Sequence, residues 1–229
     1  MKNIICLVLF IISHSFSQVR EIESGSYYNQ GNFEINFSTS LGAGFSKTST
    51  TNTNEYFNYY DSTLSSNVYN YETSSRDFLL SFTASIGYYF LDAISFEPEF
   101  DLNLLTYDEL SISIIANLTY TFSTSNTKIY PYIKLGYGIS NYVSNHNYYS
   151  NPENNSLDTQ VLNAAFGMKQ INFSGSSFRW ELSYKYYSHS NSYTYTDQYS
   201  YNTSITDVDS GIDVISFSVG YSFNFWKQG

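Results

Sequence analysis

The feature that most constrains the fold of this chain is a strict alternation of residues between positions 94 and 104. Every second residue from Ile94 to Leu104 is apolar or proline, whereas the residues between them are polar and include three carboxylates. A period of two residues predicts a β-strand with one uniform face on each side of a sheet. An unbroken apolar face opposite a charged face is typical of a strand that separates lipid from a polar interior.

The same alternation occurs in eight segments of the 229-residue chain. Each segment has about 11–14 residues, slightly more than the ~9–11 that a tilted membrane strand needs. We therefore predict an all-β fold, an eight-stranded antiparallel transmembrane up-and-down β-barrel with lipid outside and a polar lumen inside. The predicted strands are residues 31–45, 77–90, 94–104, 111–122, 128–140, 160–170, 178–188 and 214–226.

The first 17 residues are typical of an export signal. Lys2 supplies the positive charge, residues 4–12 form an apolar run too short to span a membrane, and Ser15 and Ser17 precede Gln18 as the small residues of a cleavage site. The only cysteine, Cys6, lies in this segment. We expect a mature chain of residues 18–229, forming a single barrel domain without thiols. An exported β protein without disulfides favours the bacterial outer membrane.

The connections between the predicted strands differ in length and composition. Those after strands two, four and six are short, whereas residues 46–76, 141–159 and 189–213 are long and rich in Ser, Thr, Asn and Tyr. Outer-membrane barrels have short periplasmic turns and longer extracellular loops. Tyr, Ser and Asn are also the residues that adaptable recognition loops use. We therefore expect these three segments to be mobile extracellular loops that display a surface for interaction.

The inward faces of the predicted strands carry charges of both signs. Eight strands leave an interior just wide enough for side chains to fill, so charges there must pair or stay hydrated. Two interpretations remain open, an ion-pair plug that holds the barrel shut or a narrow path for ions. The candidate network consists of Glu34, Glu97, Glu99, Asp101, Glu181, Lys134, Lys169, Arg179 and Lys185.

Two runs carry a resemblance to a known family: Tyr-Pro-Tyr-Ile-Lys-Leu-Gly-Tyr-Gly at residues 130–138 and Gly-Tyr-Ser-Phe-Asn-Phe-Trp at residues 220–226. With them the mature chain resembles the small eight-stranded OmpA/OmpX-like outer-membrane barrels. This fold hosts anchors, adhesins, narrow channels and enzymes, so the resemblance selects no activity. Three residues follow the last aromatic residue, which departs from the family pattern. The resemblance implies a C-terminal signal for the barrel-assembly machinery formed by Tyr221, Phe223, Phe225 and Trp226.

Two further runs contain residue types that chemical sites use. His189-Ser190-Asn191 is similar to the His-x-Ser-Asn run of the barrel-shaped lipid A 3-O-deacylases, but adjacent residues of a strand face opposite sides, so Ser190 cannot serve His189. Residues 207–213 have carboxylates at alternate positions near a glycine. That glycine is one place early for a calcium loop and the closing Glu is missing. We expect a solvated acidic loop there, and no catalytic residue, cofactor or metal ligand.

The net charge of −10 argues against a nucleic-acid partner. From the strand pattern, the export signal and the long connections, we predict a monomer in contact with the lipid of a Gram-negative outer membrane, with a structural or surface-interaction role. A narrow, porin-like channel is the second candidate, and a barrel enzyme that modifies lipid A is the third. The expected partners are the barrel-assembly machinery during biogenesis and an extracellular ligand or surface that the loops contact.

Overall fold

The computed structural model describes residues 28–58, 63–105, 110–122, 128–141, 158–172, 176–196 and 202–225. Consecutive strands are antiparallel neighbours, and β1 also pairs with β8, so the sheet closes into a barrel. The fold is thus an eight-stranded up-and-down β-barrel, as predicted. Its strands are β1 (Phe33–Asn58), β2 (Thr63–Leu91), β3 (Ile94–Leu105), β4 (Leu110–Thr121), β5 (Ile129–Ser140), β6 (Thr159–Ile171), β7 (Ser176–Thr196) and β8 (Thr203–Phe225).

The strands are tilted because the pairing register advances around the ring. The register can be followed from Ser85 of β2 to its paired residue on β3, and so on through β8 and β1. It returns to β2 at Ser75, ten residues away from Ser85. Such a stagger is what sets the tilt of a closed barrel. With ~3.3 Å per residue and a tilt of about 45°, the 12 residues of β3 span about 28 Å along the barrel axis.

Side-chain direction alternates along the strands as the sequence predicts. Phe37 and Leu135 point outward and are 55% and 63% exposed, whereas their inward neighbours Asn36 and Lys134 are buried. The large apolar residues therefore cover the outside of the barrel, and the polar and charged residues fill its lumen. The described part of the chain contains no helix that is long and apolar enough to cross a membrane.

The prediction of loops at residues 46–76 and 189–213 is wrong. Most of these residues belong to strands, because the β1–β2 hairpin continues to the pair Asn58 and Thr63 and the β7–β8 hairpin to the pair Thr196 and Thr203. Backbone pairing persists here, but water bathes both faces, so the apolar–polar alternation that reveals a strand is lost. The frequent Thr and Tyr residues also favour strands.

Beyond the barrel these four strands form one sheet in the order β2-β1-β8-β7. We call this part, residues 46–56, 63–76, 190–196 and 203–210, the projecting sheet. Residues 207–213 lie within β8, so the expected acidic loop is also a strand. The third predicted loop falls mainly on residues 142–157, which lie outside the described residues, as do the predicted export signal at 1–17 and Trp226.

The opposite end of the barrel, which we call the short-turn end, is closed by the segment that precedes β1. The Tyr28 carbonyl oxygen accepts a hydrogen bond of 2.8 Å from the backbone N–H of Ala93, in the β2–β3 turn. Gly31 donates to the carbonyl oxygen of Tyr89 at 2.7 Å. These bonds hold Tyr28 beneath the lumen, where its ring contacts Tyr89 and Tyr130 at centroid distances of 5.4 and 4.9 Å.

Amide hydrogen exchange will distinguish the projecting sheet from mobile loops. Residues 48–53 of β1 pair with strands on both sides, whereas residues 66–73 of β2 pair only with β1 within the described ranges. We expect slow exchange throughout 48–53 but only at alternate amides of 66–73, because alternate N–H groups of an edge strand face away from its neighbour. NMR on the protein in detergent micelles measures both. Uniformly fast exchange in both stretches would contradict the sheet.

Candidate functional site

The nine charged residues of the predicted network all lie inside the lumen, and none is more than 8% exposed. They come from five strands, which the closure of the barrel brings to face one another across the interior. The structure joins every one of them to at least one partner of opposite charge at 3.0 Å or less. The network is therefore a set of direct ion pairs.

The centre of the network is built by Lys134 of β5 and Arg179 of β7. The Lys134 ammonium lies 2.9 Å from Glu99, 3.0 Å from Glu181 and 3.8 Å from Glu97. Arg179 divides its guanidinium between Glu97 through Nη1 at 2.8 Å and Glu181 through Nη2 at 2.9 Å. Two cations thus share three carboxylates. Arginine suits such bridging because its donors form a rigid fork.

Two further pairs extend the network in opposite directions along the barrel axis. Towards the projecting sheet, Lys185 donates to Asp101 at 2.5 Å and to Glu99 at 2.9 Å. Towards the short-turn end, Lys169 donates to Glu34 Oε2 at 2.5 Å. The charges therefore extend along the barrel axis in two groups, the seven residues joined around Lys134 and Arg179 and the Glu34–Lys169 pair, with the Tyr132 ring in contact with both Arg179 and Lys169.

Lys169 is held by aromatic rings as well as by Glu34. Its ammonium lies 5.2, 5.7 and 5.3 Å from the ring centroids of Tyr28, Tyr89 and Tyr132. It also donates a 3.0 Å hydrogen bond to the Tyr89 hydroxyl, which in turn donates to Glu34 at 3.1 Å. Cation–π contacts of this kind gain strength when the cation is desolvated, as Lys169 is here.

Neutral side chains complete the network, and the sequence analysis did not single them out. The Tyr132 hydroxyl donates to Glu181 at 2.8 Å and accepts from Arg179 Nε at 2.5 Å. The centroid of its ring lies 4.5 Å from Cζ of the Arg179 guanidinium. Gly167 makes room for this ring, since a Cβ there would overlap it. The only sequence signal for these residues is their inward parity. Other neutral donors to the carboxylates are Asn36, Thr83, Ser85, Asn117 and Thr119.

Two apolar layers close the lumen above and below the charges. Along β7 the inward residues pass from Arg179 through Glu181 and Lys185 to Tyr187, and the buried His189 lies beyond Tyr187. The void beside the charges has a volume of only about 20 Å³, roughly the space of one water molecule. The layer near the projecting sheet comprises Leu79, Ile115, Val161, Tyr187, Ile212 and Val214, and that at the short-turn end comprises Tyr28, Tyr89, Tyr130 and Ile171.

The run considered for catalysis does not form a catalytic pair. His189 faces inward and is buried, with Nδ1 at 3.5 Å from Asp158 Oδ1, whereas Ser190 is exposed on the opposite face of β7. The described residues contain no group of three or more His, Cys, Asp or Glu side chains that could hold a metal ion. Of the predicted C-terminal signal, Tyr221, Phe223 and Phe225 share the outward face of β8, with the first two rings 5.2 Å apart.

Solved structures that are similar to this chain include outer membrane proteins. No family model and no curated protein matches the sequence. The outer membrane protein OprG from Pseudomonas aeruginosa is 13% identical, with 90% of this chain and 100% of that chain covered and a TM-score of 0.47. AlkL, solved in DMPC bilayers, is 16% identical, with 93% and 98% covered and a TM-score of 0.38. Neisserial surface protein A is 14% identical, with 82% and 97% covered and a TM-score of 0.37.

A double-mutant cycle on Glu34 and Lys169 tests whether the lumen is dry. Removing one partner leaves a buried, unpaired charge, so Glu34→Ala and Lys169→Ala should each destabilise the barrel by ~3–5 kcal/mol. The double variant should cost much less than the sum of the two. Urea unfolding in detergent measures all three free energies.

The matched control is the exposed pair Lys47 and Glu72, whose charged groups are 3.2 Å apart with side chains 66% and 63% exposed. Its coupling energy should not exceed ~1 kcal/mol. Equal coupling energies for the two pairs would show that water reaches the lumen charges.

Proposed function

We propose that the chain is a bacterial outer-membrane barrel with a closed lumen, and that its role is to display the projecting sheet and the neighbouring connections outside the cell. The observation that carries this proposal is the position of the charge network between two apolar layers. A barrel closed in this way leaves its exposed end as the part that meets other molecules. The proposal includes export through residues 1–17, assembly by the barrel-assembly machinery and a monomeric state in the membrane.

The outer surface supports insertion into lipid. Large apolar side chains cover it over a height of about 28 Å, close to the ~25–30 Å of apolar thickness that a membrane barrel spans. At the end that carries the projecting sheet, the outward residues change abruptly from apolar to charged. The change falls between Phe45 and Lys47 on β1, between Phe78 and Arg76 on β2, and between Ile215 and Asp213 on β8.

Aromatic residues mark the other boundary of the apolar surface. Near the short-turn end, the rings of Phe33 and Tyr88 lie 4.8 Å apart, and those of Tyr120 and Phe122 are separated by the same distance. Membrane barrels carry such aromatic girdles at the level of the lipid headgroups. The short turns lie beyond this girdle, so they face the periplasm in our proposal and the projecting sheet faces the outside.

The packing of the lumen favours a closed barrel over the narrow channel. An ion path needs a continuous hydrated route, whereas buried aromatic and aliphatic side chains occupy the lumen at both ends of the network, beside small uncharged polar side chains such as Ser95, Ser113 and Ser177. Direct ion pairs also occupy the groups that would otherwise line the route. The placement of His189 and Ser190 on opposite faces gives no support to an enzyme that modifies lipid A.

A matched pair of arginine substitutions on β7 tests the position of the membrane. Leu182 and Ser190 both point outward and are exposed, but only Leu182 lies in the apolar surface. Leu182→Arg should lower the free energy of unfolding in phospholipid vesicles by ~2–4 kcal/mol, because it buries a charge near the bilayer midplane. Ser190→Arg should change it by no more than ~0.5 kcal/mol. Equal effects of the two substitutions would show that our proposal places the membrane wrongly.

Electrical recording tests the closed lumen directly. After the protein is inserted into planar bilayers, we expect no steady single-channel conductance, because the apolar layers exclude ions from the lumen. The protein used for insertion must be folded, which is verified by the heat-dependent shift in gel mobility that folded barrels show. Steady conductance steps from folded protein would reject the closed lumen and support the channel.

A further inference from the structure

The projecting sheet separates its charges completely onto one face. The registers of β1 with β2, of β1 with β8 and of β7 with β8 run through it without a shift, so residues keep the parity that they have in the barrel. The convex face, which continues the outside of the barrel, carries every charged residue of this sheet. These residues are Lys47, Glu55, Glu72, Arg76, Asp207 and Asp209.

The concave face, which continues the lumen wall, is uncharged. Apart from Val208 it consists of Ser, Thr, Asn and Tyr side chains on all four strands. His189 and Asp77, which also face inward, lie below it at the rim of the barrel. Charged residues make up 13% of the chain, so a face of this size without any of them departs from the average composition. Its chemistry therefore calls for a partner without charge.

Four of the five tyrosines of the concave face stand along its two edges, and the fifth, Tyr56, lies on β1 near the end of the sheet. Tyr69 and Tyr71 lie on β2, and Tyr193 and Tyr195 lie on β7, with exposed fractions between 39% and 70%. Apart from Tyr56, the two central strands carry shorter side chains on this face, and the register aligns Tyr69, Asn52, Thr206 and Tyr193 in one row across the sheet. At ~4.8 Å per strand the row is about 14 Å wide. The result is a trough with aromatic sides and a floor of amides and hydroxyls.

Part of this trough is ordered by its own hydrogen bonds. Asn191 Nδ2 donates to the Tyr193 hydroxyl at 2.8 Å, which orients that ring at the β7 edge. At the foot of the floor, the Thr48 and Ser210 hydroxyls lie 3.2 Å apart, in hydrogen-bond contact. Ordered groups lose less conformational freedom when a ligand binds, which favours affinity.

We infer that the concave face of the projecting sheet binds a neutral carbohydrate chain. Sugar rings present C–H faces that pack on tyrosine rings, whose bodies are apolar and whose tips are polar. Their hydroxyls need partners that both donate and accept, which Asn, Ser and Thr supply. A polyanion would find no cation on this face, and a cationic ligand would prefer the acidic convex face. This inference rests on the proposed function, because the face must be exposed to the outside.

Binding is tested with the full chain, folded in detergent micelles, by affinity electrophoresis through gels containing polysaccharide. The neutral probes are dextran, laminarin and galactomannan, and polygalacturonate is the charged control. We expect at least one neutral polysaccharide to retard the folded barrel and polygalacturonate to leave its mobility unchanged. Failure of all three neutral probes, or retardation by polygalacturonate alone, would overturn the inference.

Two double variants locate the site. Tyr69→Ala with Tyr193→Ala removes one ring from each side of the trough and should weaken retardation at least tenfold. Asn70→Ala with Ser192→Ala changes the neighbouring residues of the same strands on the convex face, and should leave retardation within twofold of the parent. Heat-dependent gel mobility confirms that each variant is folded. Equal losses in both double variants would reject the concave face as the site.

A labelling experiment separates failure of this inference from failure of the proposed function. The chain has a single cysteine, Cys6, within the predicted export signal, so Thr194→Cys introduces a unique exposed thiol on the convex face. A membrane-impermeant maleimide should label it on intact cells. Labelling without retardation by any neutral polysaccharide overturns only the carbohydrate ligand that we infer, whereas absence of labelling overturns the proposed display of the sheet outside the cell.

A further variant tests a different occupant of the trough. Retardation that appears only after residues 142–157 are replaced by a short Gly-Ser linker would show that this segment occupies the trough, contrary to the inference.

Discussion

The structure depends on one constraint, that charges inside a narrow lumen must be paired. An unpaired charge in a poorly hydrated interior is costly, and a pair recovers that cost only with good geometry and further hydrogen bonds. The barrel meets this demand by arranging long charged side chains of β3, β5 and β7 against one another, and by pairing Glu34 of β1 with Lys169 of β6. The facing wall, formed by β8, β1 and β2, contributes small inward residues such as Ser40, Ser81 and Ser216, which leave the necessary space.

The same constraint explains why the interior is closed at both ends. Tyr187 and its apolar neighbours lie above the network, and the tyrosines around Lys169 lie below it, so water has little access to the ion pairs. Exclusion of water strengthens the attraction within each pair. A lumen stabilised in this way cannot also provide a hydrated path. In the proposed function, the surface that meets other molecules is then the exterior, and among the described residues the largest part of that exterior beyond the apolar surface is the projecting sheet.

The outward and inward faces of the strands change chemistry together along the barrel axis. Where the apolar surface surrounds the barrel, the outward side chains are apolar and the lumen carries the charged side chains. In the projecting sheet the outside is charged, as at Asp207 and Asp209, and the inside is neutral. The inversion follows the change of solvent, because charges on the outer face are tolerated only where water replaces lipid. The neutrality of the inner face has no such requirement, and it is the observation from which we infer a carbohydrate ligand.

The sequence alone determined the strand parity, the closure into eight strands and the identity of the charges in the lumen, because a period of two residues is visible wherever one face meets lipid. It did not reveal the projecting strands, since residues such as Thr50 and Tyr71 lie where both faces are wet and the period carries no hydropathy signal. Nor could it show that Lys134 contacts Glu99 and Glu181, or that Tyr187 closes the lumen. Those contacts join distant strands, and only the stagger of the closed barrel decides which inward residues share a level along its axis.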